Sequence, residues 1–251
     1  ALRREKKEPT MENMFAIATR YFDVFKEDIV MLNIKTPQFM PRASEHVQGM
    51  IAYVETLLDK DYAYKTSDGI YFDTAKFPNY GILGGSSSEE HSRIGASKEK
   101  RSPKDFALWK FNTEMGWDAP WGKGFPGWHI ECTAMATRYL GKTFDIHTGG
   151  IDHIAIHHNN EIAQAEAANN KPYARYWLHN EFITIDGKRI GKSEGNAITL
   201  RQLIDRGVNP LAYRYWLLTG HYRSPVNFTW EALRAAQTAF TRAQKIFADL
   251  K

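Results

Sequence analysis

The chain has 251 residues, 43% apolar and 25% charged, enough to build a real core in one large domain or two small ones. No run of roughly 18 apolar residues occurs, which excludes a membrane-spanning helix, and the charged start Ala1-Leu2-Arg3-Arg4-Glu5-Lys6-Lys7 does not read as a secretory leader. A single cysteine, Cys132, excludes an intrachain disulfide and suggests a reducing compartment, while a net charge of +4 hides a basic end, with eight Lys or Arg against three Asp or Glu in residues 201–251. That basic end suits a polyanion such as nucleic acid, and equally a solvated helical face.

Residues 9–34 predict a long amphipathic helix, opened by Pro9-Thr10, with Phe15, Ala18, Phe22, Phe25, Ile29 and Leu32 at helical spacing. Thr36-Pro37 and Met40-Pro41 end it. A second helix over 44–60 puts Val47, Met50, Ile51, Val54, Leu57 and Leu58 on one side, and Gly69–Asp73 is a short β segment after an Asp68-Gly69 turn. Ser86 to Lys104 has almost no apolar residues and reads as a mobile loop. Ala107-Leu-Trp109 is extended, and the Trp-, Gly- and Pro-rich stretch 117–126 is expected to be irregular. Then βα units begin: a helix over 127–140, a buried strand from Phe144 to His147 ending at Gly149-Gly150, and a helix over 157–169. A strand region over 176–185, turned by Asp186-Gly187, and three helices, 200–206, 210–219 and 230–250, complete the chain. Strands alternating with helices argue for a parallel α/β sheet followed by an all-helical segment.

Three segments can carry chemistry. His157 and Glu161 stand four apart on one helical face, and Cys132 lies 25 residues before His157. Thiolate, imidazole and carboxylate are acceptable zinc donors, and three protein ligands leave a position open for substrate. A core cysteine and a surface His/Glu pair are the alternative. Gly149-Gly150-Ile151-Asp152 follows a strand at its carboxyl end, where α/β sheets dock nucleotides, and Asp152 suits ribose hydroxyls; an ordinary tight turn reads the same way. Gly187 to Asn196 is a basic loop after a strand, and its Lys192 could oppose the charge of a leaving pyrophosphate. Its glycines do not fit the Walker pattern, and a plain basic hairpin is the alternative.

In order along the chain, Gly127-Trp-His-Ile-Glu-Cys132, Phe144-Asp-Ile-His-Thr-Gly-Gly-Ile-Asp152, His157-His-Asn-Asn-Glu161, His179-Asn-Glu-Phe182, the Lys192-Ser193 loop and His221-Tyr-Arg-Ser-Pro225 closely resemble cysteinyl-tRNA synthetases, class I aminoacyl-tRNA synthetases. Arg42-Ala-Ser-Glu-His46 and Asp105-Phe-Ala-Leu-Trp-Lys110 extend the resemblance over essentially the whole chain. It implies activation of cysteine by ATP, with Mg2+, to an adenylate, followed by transfer to tRNA(Cys), with a zinc ion binding the substrate thiolate. Cys132, His157 and Glu161 would be three of the family's four zinc ligands. Trp128 would pack on the substrate side chain, and His129 and His147 would line its pocket. Gly149, Gly150 and Asp152 would meet the adenosine, Trp177, His179 and Asn180 would flank the adenine, and Lys192 would stabilise the pyrophosphate.

The implied architecture is α/β: residues 1–35 close a first catalytic half, 36–125 form an α+β connective insert, 126–200 the second half of a Rossmann-like catalytic core, and 201–251 a helical stem-contact region. A cytoplasmic monomer is expected. The family's His-x-Gly-His motif does not occur in the sequence, nor does a second cysteine, and the pyrophosphate loop reads Arg189-Ile-Gly-Lys-Ser193. The missing motif and ligand would precede Ala1, and the anticodon domain would follow residue 251, so the isolated 251 residues are expected to bind zinc weakly and to activate cysteine poorly. A mycothiol-pathway cysteine ligase, a non-catalytic synthetase paralogue or binding module, and a zinc-free α/β domain are the competing readings. The basic helices after residue 200 and the segment from His221 to Trp230 favour the synthetase over the ligase.

Overall fold

The computed structural model describes residues 2, 4–84, 98–191 and 195–250. In chain order the elements are α1 (Met11–Met31), α2 (Val47–Asp59), β1 (Ala63–Lys65), β2 (Gly69–Phe72), β3 (Phe106–Phe111), β4 (Gly124–Pro126), α3 (Trp128–Leu140), β5 (Phe144–Gly150), α4 (Asn159–Asn169), β6 (Ala174–Asn180), β7 (Ile183–Ile185), β8 (Lys188–Arg189), α5 (Leu200–Asp205), α6 (Pro210–Leu218), β9 (Val226–Phe228) and α7 (Trp230–Asp249). They form two compact units, Phe39–Leu178 on one side and Ala1–Gln38 with His179–Lys251 on the other.

In the unit Phe39–Leu178, β1 to β4 form an antiparallel sheet in sequence order. The predicted face of α2 is the buried one: Val47, Met50, Ile51, Val54 and Leu57 pack with Ile70, Phe72, Leu108, Trp109, Ile130 and Ile162 in one core. Each such side chain contributes about 1.5–3 kcal/mol by leaving water. The stretch expected to be irregular supplies β4, because Gly124-Phe-Pro126 can pair with β3 at a sheet edge, where proline is tolerated. Gly127 then starts α3 so close to β3 that a Cβ there would collide with the Ala107 carbonyl oxygen. This close approach sets the first turn of α3 against the core. The His46 ring joins the Arg42 carbonyl (2.7 Å) to the Tyr139 hydroxyl (2.8 Å) and so ties the start of α2 to the end of α3.

Of the polar stretch expected to be a mobile loop, residues 86–97 lie outside the described residues. The rest, 98–104, is fastened. Arg101 pairs with Asp73 at 3.0 Å and lies over the Tyr64 ring, and Glu99 accepts from the Ser67 amide at 2.8 Å. Asp105, fully buried, accepts from the Tyr64 hydroxyl (2.7 Å), the Thr74 amide and hydroxyl (2.9 and 2.8 Å) and the Ser102 amide (2.9 Å).

β5 and β6 form a two-stranded sheet joined through α4. β5 was expected to be buried, yet Ile146 on it is 56% exposed. The reason is coverage: among the described residues β5 has β6 as its sheet neighbour and no strand beyond.

In the other unit, Thr10 caps α1 by accepting from the Asn13 amide, as the sequence predicts. The apolar stripe of α1 is less covered than its spacing suggests, with Ile17 and Ile29 buried but Phe15 and Phe25 exposed. β7 pairs antiparallel with β8 across the Asp186-Gly187 turn, where both residues take positive φ, and parallel with β9. Thr199, Asn209 and Thr229 cap α5, α6 and α7. Leu200, Leu203, Trp216, Phe228 and Leu233 form this unit's core, and Arg214 donates to the Leu32 carbonyl at 2.9 Å. No helix among the described residues is long and apolar enough to cross a membrane.

Candidate active site

The site is assembled where α3, β5 and α4 meet in the unit Phe39–Leu178. The first turns of α3 carry Trp128, His129 and Cys132. β5 carries His147 and ends in Gly149-Gly150. The chain then takes a 3₁₀ turn, Ile151–His153, and one π-helical turn, Ile154–His158, before α4 begins. Periodicity predicts His157 on a regular helix; the π turn holds it instead, a local widening that recurs at functional sites. Asn159 pins this turn by donating to the Ile154 carbonyl at 2.8 Å while accepting from the Leu83 amide at 3.2 Å.

The Glu161 carboxylate is the centre, fully buried. His157 Nε2 lies 3.2 Å from Glu161 Oε1, and His147 Nε2 lies 2.7 Å from Glu161 Oε2. Both imidazoles stand at ion-pair distance, yet among the described residues neither carboxylate oxygen has a hydrogen bond. Such a group costs several kcal/mol unless a cation or a proton compensates it. Burial pushes the carboxyl up, but the two imidazoles outweigh it and hold Glu161 at about 2, so it stays charged. Cys132, His157 and Glu161 bring their donor atoms within 4.8 Å of one another. Burial, then the Glu161 charge, pushes the Cys132 thiol up to about 12. A cation among the three would remove the repulsion that keeps that proton on.

The next ring of contacts orients His157. His129 Nδ1 lies 2.9 Å from His157 Nδ1. Burial, then the His157 charge, lowers His129 to about 3, so His129 is neutral. That Nδ1–Nδ1 contact fixes the orientation of the His157 ring, whose Nε2 faces Glu161. Trp128, half exposed, stands 4.5 Å from the His157 ring centre. Trp177 on β6 stands 4.9 Å from the rings of both His147 and His158.

Gly149 lies against two imidazole rings. A Cβ there would fall 2.6 Å from the His158 ring and 2.8 Å from His153 Nδ1, so the missing side chain makes room for imidazoles. A Cβ on Gly150 would collide with the carboxylate of exposed Asp152. His179 and Asn180 end β6 and belong to the other unit. Lys192 lies outside the described residues; at the base of its loop the Gly191 amide donates to Asn196 at 3.1 Å, and Asn196 donates to the Arg189 carbonyl at 3.0 Å.

Sequence reasoning missed His153, His158, Asn159 and Asn160. One signal was available. Nearly all of α4 is buried, including the polar Asn159, Asn160, Glu161 and Gln164. An alanine-rich helix whose polar residues sit at no consistent face has no solvent side, so those polar groups must serve a site.

The family model described as tRNA synthetases class I (C) catalytic domain matches residues 3–238. The chain belongs to that family. It is 49% identical over 249 residues to cysteine–tRNA ligase 1 of Burkholderia lata, covering 95% of this chain and 52% of that protein. It is 43% identical over 245 residues to a cysteine–tRNA ligase of Anoxybacillus flavithermus, covering 96% and 52%. The chain thus spans about half the length of the curated relatives it matches. Among solved structures it resembles Mycobacterium tuberculosis methionyl-tRNA synthetase in complex with methionyl-adenylate, with a TM-score of 0.67 at 15% identity over 88% of this chain and 55% of that one. The apo form of the same synthetase gives a TM-score of 0.59 at 12% identity, over 89% and 55%. At such identities the likeness concerns the fold, and it bears out the mixed α/β class I architecture expected from the sequence.

Proposed function

We propose that this chain carries the amino-acid-activating site of a cysteine–tRNA ligase, working in the cytoplasm with ATP, cysteine and tRNA(Cys) as its substrates. The observation that supports it most is the buried Glu161 carboxylate, without a hydrogen bond among the described residues, beside Cys132 and His157. That donor set fits zinc, and Cys132, His157 and Glu161 would hold it. When bound, zinc supplies a soft Lewis acid that favours the thiolate of cysteine over the hydroxyl of serine.

The rest of the chemistry falls to the chain itself. Trp128 offers an apolar wall to a small side chain, and neutral His129 lines the pocket together with His147. Gly149, Gly150 and Asp152 meet the adenosine, and Trp177, His179 and Asn180 flank the adenine. The substrate carboxylate attacks the α-phosphate of ATP, with Mg2+ on the phosphates, and pyrophosphate leaves. No side-chain nucleophile is needed, so positioning and charge stabilisation carry the rate, Lys192 opposing the charge that grows on the leaving group. In this reading 36–125 is the connective insert, 126–200 the second catalytic half, and 201–251 runs along the tRNA stem, where its phosphate contacts make binding salt-sensitive.

The test is binding of sulfamoyl analogues of cysteinyl- and serinyl-adenylate to the zinc-loaded chain. The cysteinyl analogue is expected to win by more than the roughly 200-fold that shape alone supplies. Cys132→Ser is expected to collapse that ratio. Equal binding of the two analogues to the zinc-loaded wild type would sink the reading.

A further inference from the structure

Glu161 presents two oxygens, and only one faces the Cys132–His157 side. The other, Oε2, lies 2.7 Å from His147 Nε2. His147, His158 and Glu161 form a second group whose donor atoms all lie within 4.8 Å of one another. His158 and Glu161 are fully buried and His147 is partly buried. The rings are held in place: Trp177 packs on both imidazoles, their ring centres stand 4.7 Å apart, and Gly149 leaves the space into which His158 fits. Oε2 has no hydrogen bond among the described residues even though His147 is close enough to give one. A buried carboxylate oxygen with the donor atoms of two imidazoles gathered within 4.8 Å is placed as a ligand is placed.

We propose that His147, His158 and Glu161 form a second cation position, sharing Glu161 with the first and taking a borderline divalent ion of the Zn2+, Co2+ or Ni2+ class. The donor set is two imidazoles and one carboxylate, which suits these ions rather than Ca2+ or Mg2+. It has no thiolate and must place a second dication beside the first, so it binds more weakly. It rests on the proposed zinc reading only in sharing Glu161. The consequence is inhibitory: an ion here takes His147 away from the amino-acid pocket, so excess zinc opposes cysteine binding.

The experiment is a Co2+ titration of the reduced, metal-free chain followed by visible absorption. In the wild type the first equivalent should bring sulfur-to-cobalt charge transfer, and a second, weaker one should add ligand-field bands alone. Cys132→Ala should lose the charge transfer and keep ligand-field bands. His147→Gln should keep the first phase and weaken the second by at least about the 10–100-fold that loss of a supporting group costs at a metal site. Saturation of the wild type at one equivalent, with no ligand-field bands in Cys132→Ala, overturns the second position and leaves the first standing. A wild type with ligand-field bands but no charge transfer supports the second position while removing Cys132 from the first. If circular dichroism shows Cys132→Ala unfolded, the His147→Gln titration decides, and an undiminished second phase in it overturns the proposal.

Discussion

Two carboxylates in the unit Phe39–Leu178, Asp105 and Glu161, are both fully buried and are treated in opposite ways. Asp105 receives four hydrogen bonds from Tyr64, Thr74 and Ser102. Glu161, among the described residues, receives none, although two imidazoles and a thiol surround it. Burying a charge is costly either way. Asp105 meets that cost with fixed donors, and what it secures is structure, the fastening of 98–104 onto the β-sheet. Glu161 leaves its charge available, and what it secures is a place for a cation. The difference separates a carboxylate that holds the fold from one that awaits a ligand, and neither burial nor charge alone would have told them apart.

The strongest way to break this contrast is Glu161→Gln. Zinc affinity should fall by at least about 10–100-fold, and the metal-free protein should lose some stability as well, since the anion that the two imidazoles favour has been removed. Thermal melts with and without zinc check both halves: zinc should raise the wild-type Tm through mass action and leave the variant unmoved. A variant still stabilised by zinc would place the ion elsewhere. Asp105→Ala should spare zinc binding. It leaves buried donors unsatisfied and should cost about 3–5 kcal/mol in urea denaturation, equally with and without zinc.

Between those extremes stands Gly149→Ala. Its added methyl meets the His158 and His153 rings, and about 1–3 kcal/mol of overpacking is expected, together with weaker metal binding because both rings must shift. An unchanged melt would show that the rings have room. The pH dependence of zinc binding sharpens the same point. The Cys132 thiol, pushed up to about 12, is protonated near neutrality, and only the thiolate is a ligand. Binding therefore releases its proton, and affinity should rise about tenfold per pH unit as pH rises above neutrality. Calorimetry in buffers of different ionisation enthalpy counts the proton; none released would exclude the thiol.

Much of this was legible in the sequence, for identifiable reasons. The spacing of His157 and Glu161 survives the π turn because a four-residue separation still brings Nε2 to 3.2 Å from the carboxylate. The face of α2 could be read because one side of it is buried. β5 misled because a strand rich in apolar and small residues looks buried whether or not a neighbour covers it. His147 and His158 as partners of one carboxylate were not legible, since they come from a strand and a π turn whose meeting no local pattern encodes. That Gly149 also leaves room for the His153 and His158 rings was not legible, because those rings come from the turns that follow it.

The smallest expected effect concerns a third carboxylate, Asp68, intermediate between the other two. It accepts from Thr66 at 2.7 Å and Tyr71 at 3.1 Å and pairs with Lys110 at 2.5 Å, yet a third of its side chain meets solvent. Burial raises its carboxyl, but Lys110 and the two hydroxyls outweigh that and hold it at about 2, below the ordinary 3.8. A carboxyl whose folded value is depressed stabilises the fold above its unfolded value, and that contribution is lost as pH falls from about 3.8 through about 2. Solvent screening limits the gain to about 1 kcal/mol or less. Lys110→Met should therefore destabilise at neutral pH by about that amount and by less at pH 2, read from urea midpoints at the two pH values. A loss as large at pH 2 as at pH 7 would mean that Lys110 acts through its aliphatic stem rather than through its charge, and that Asp68, like Asp105, is held by its neutral donors.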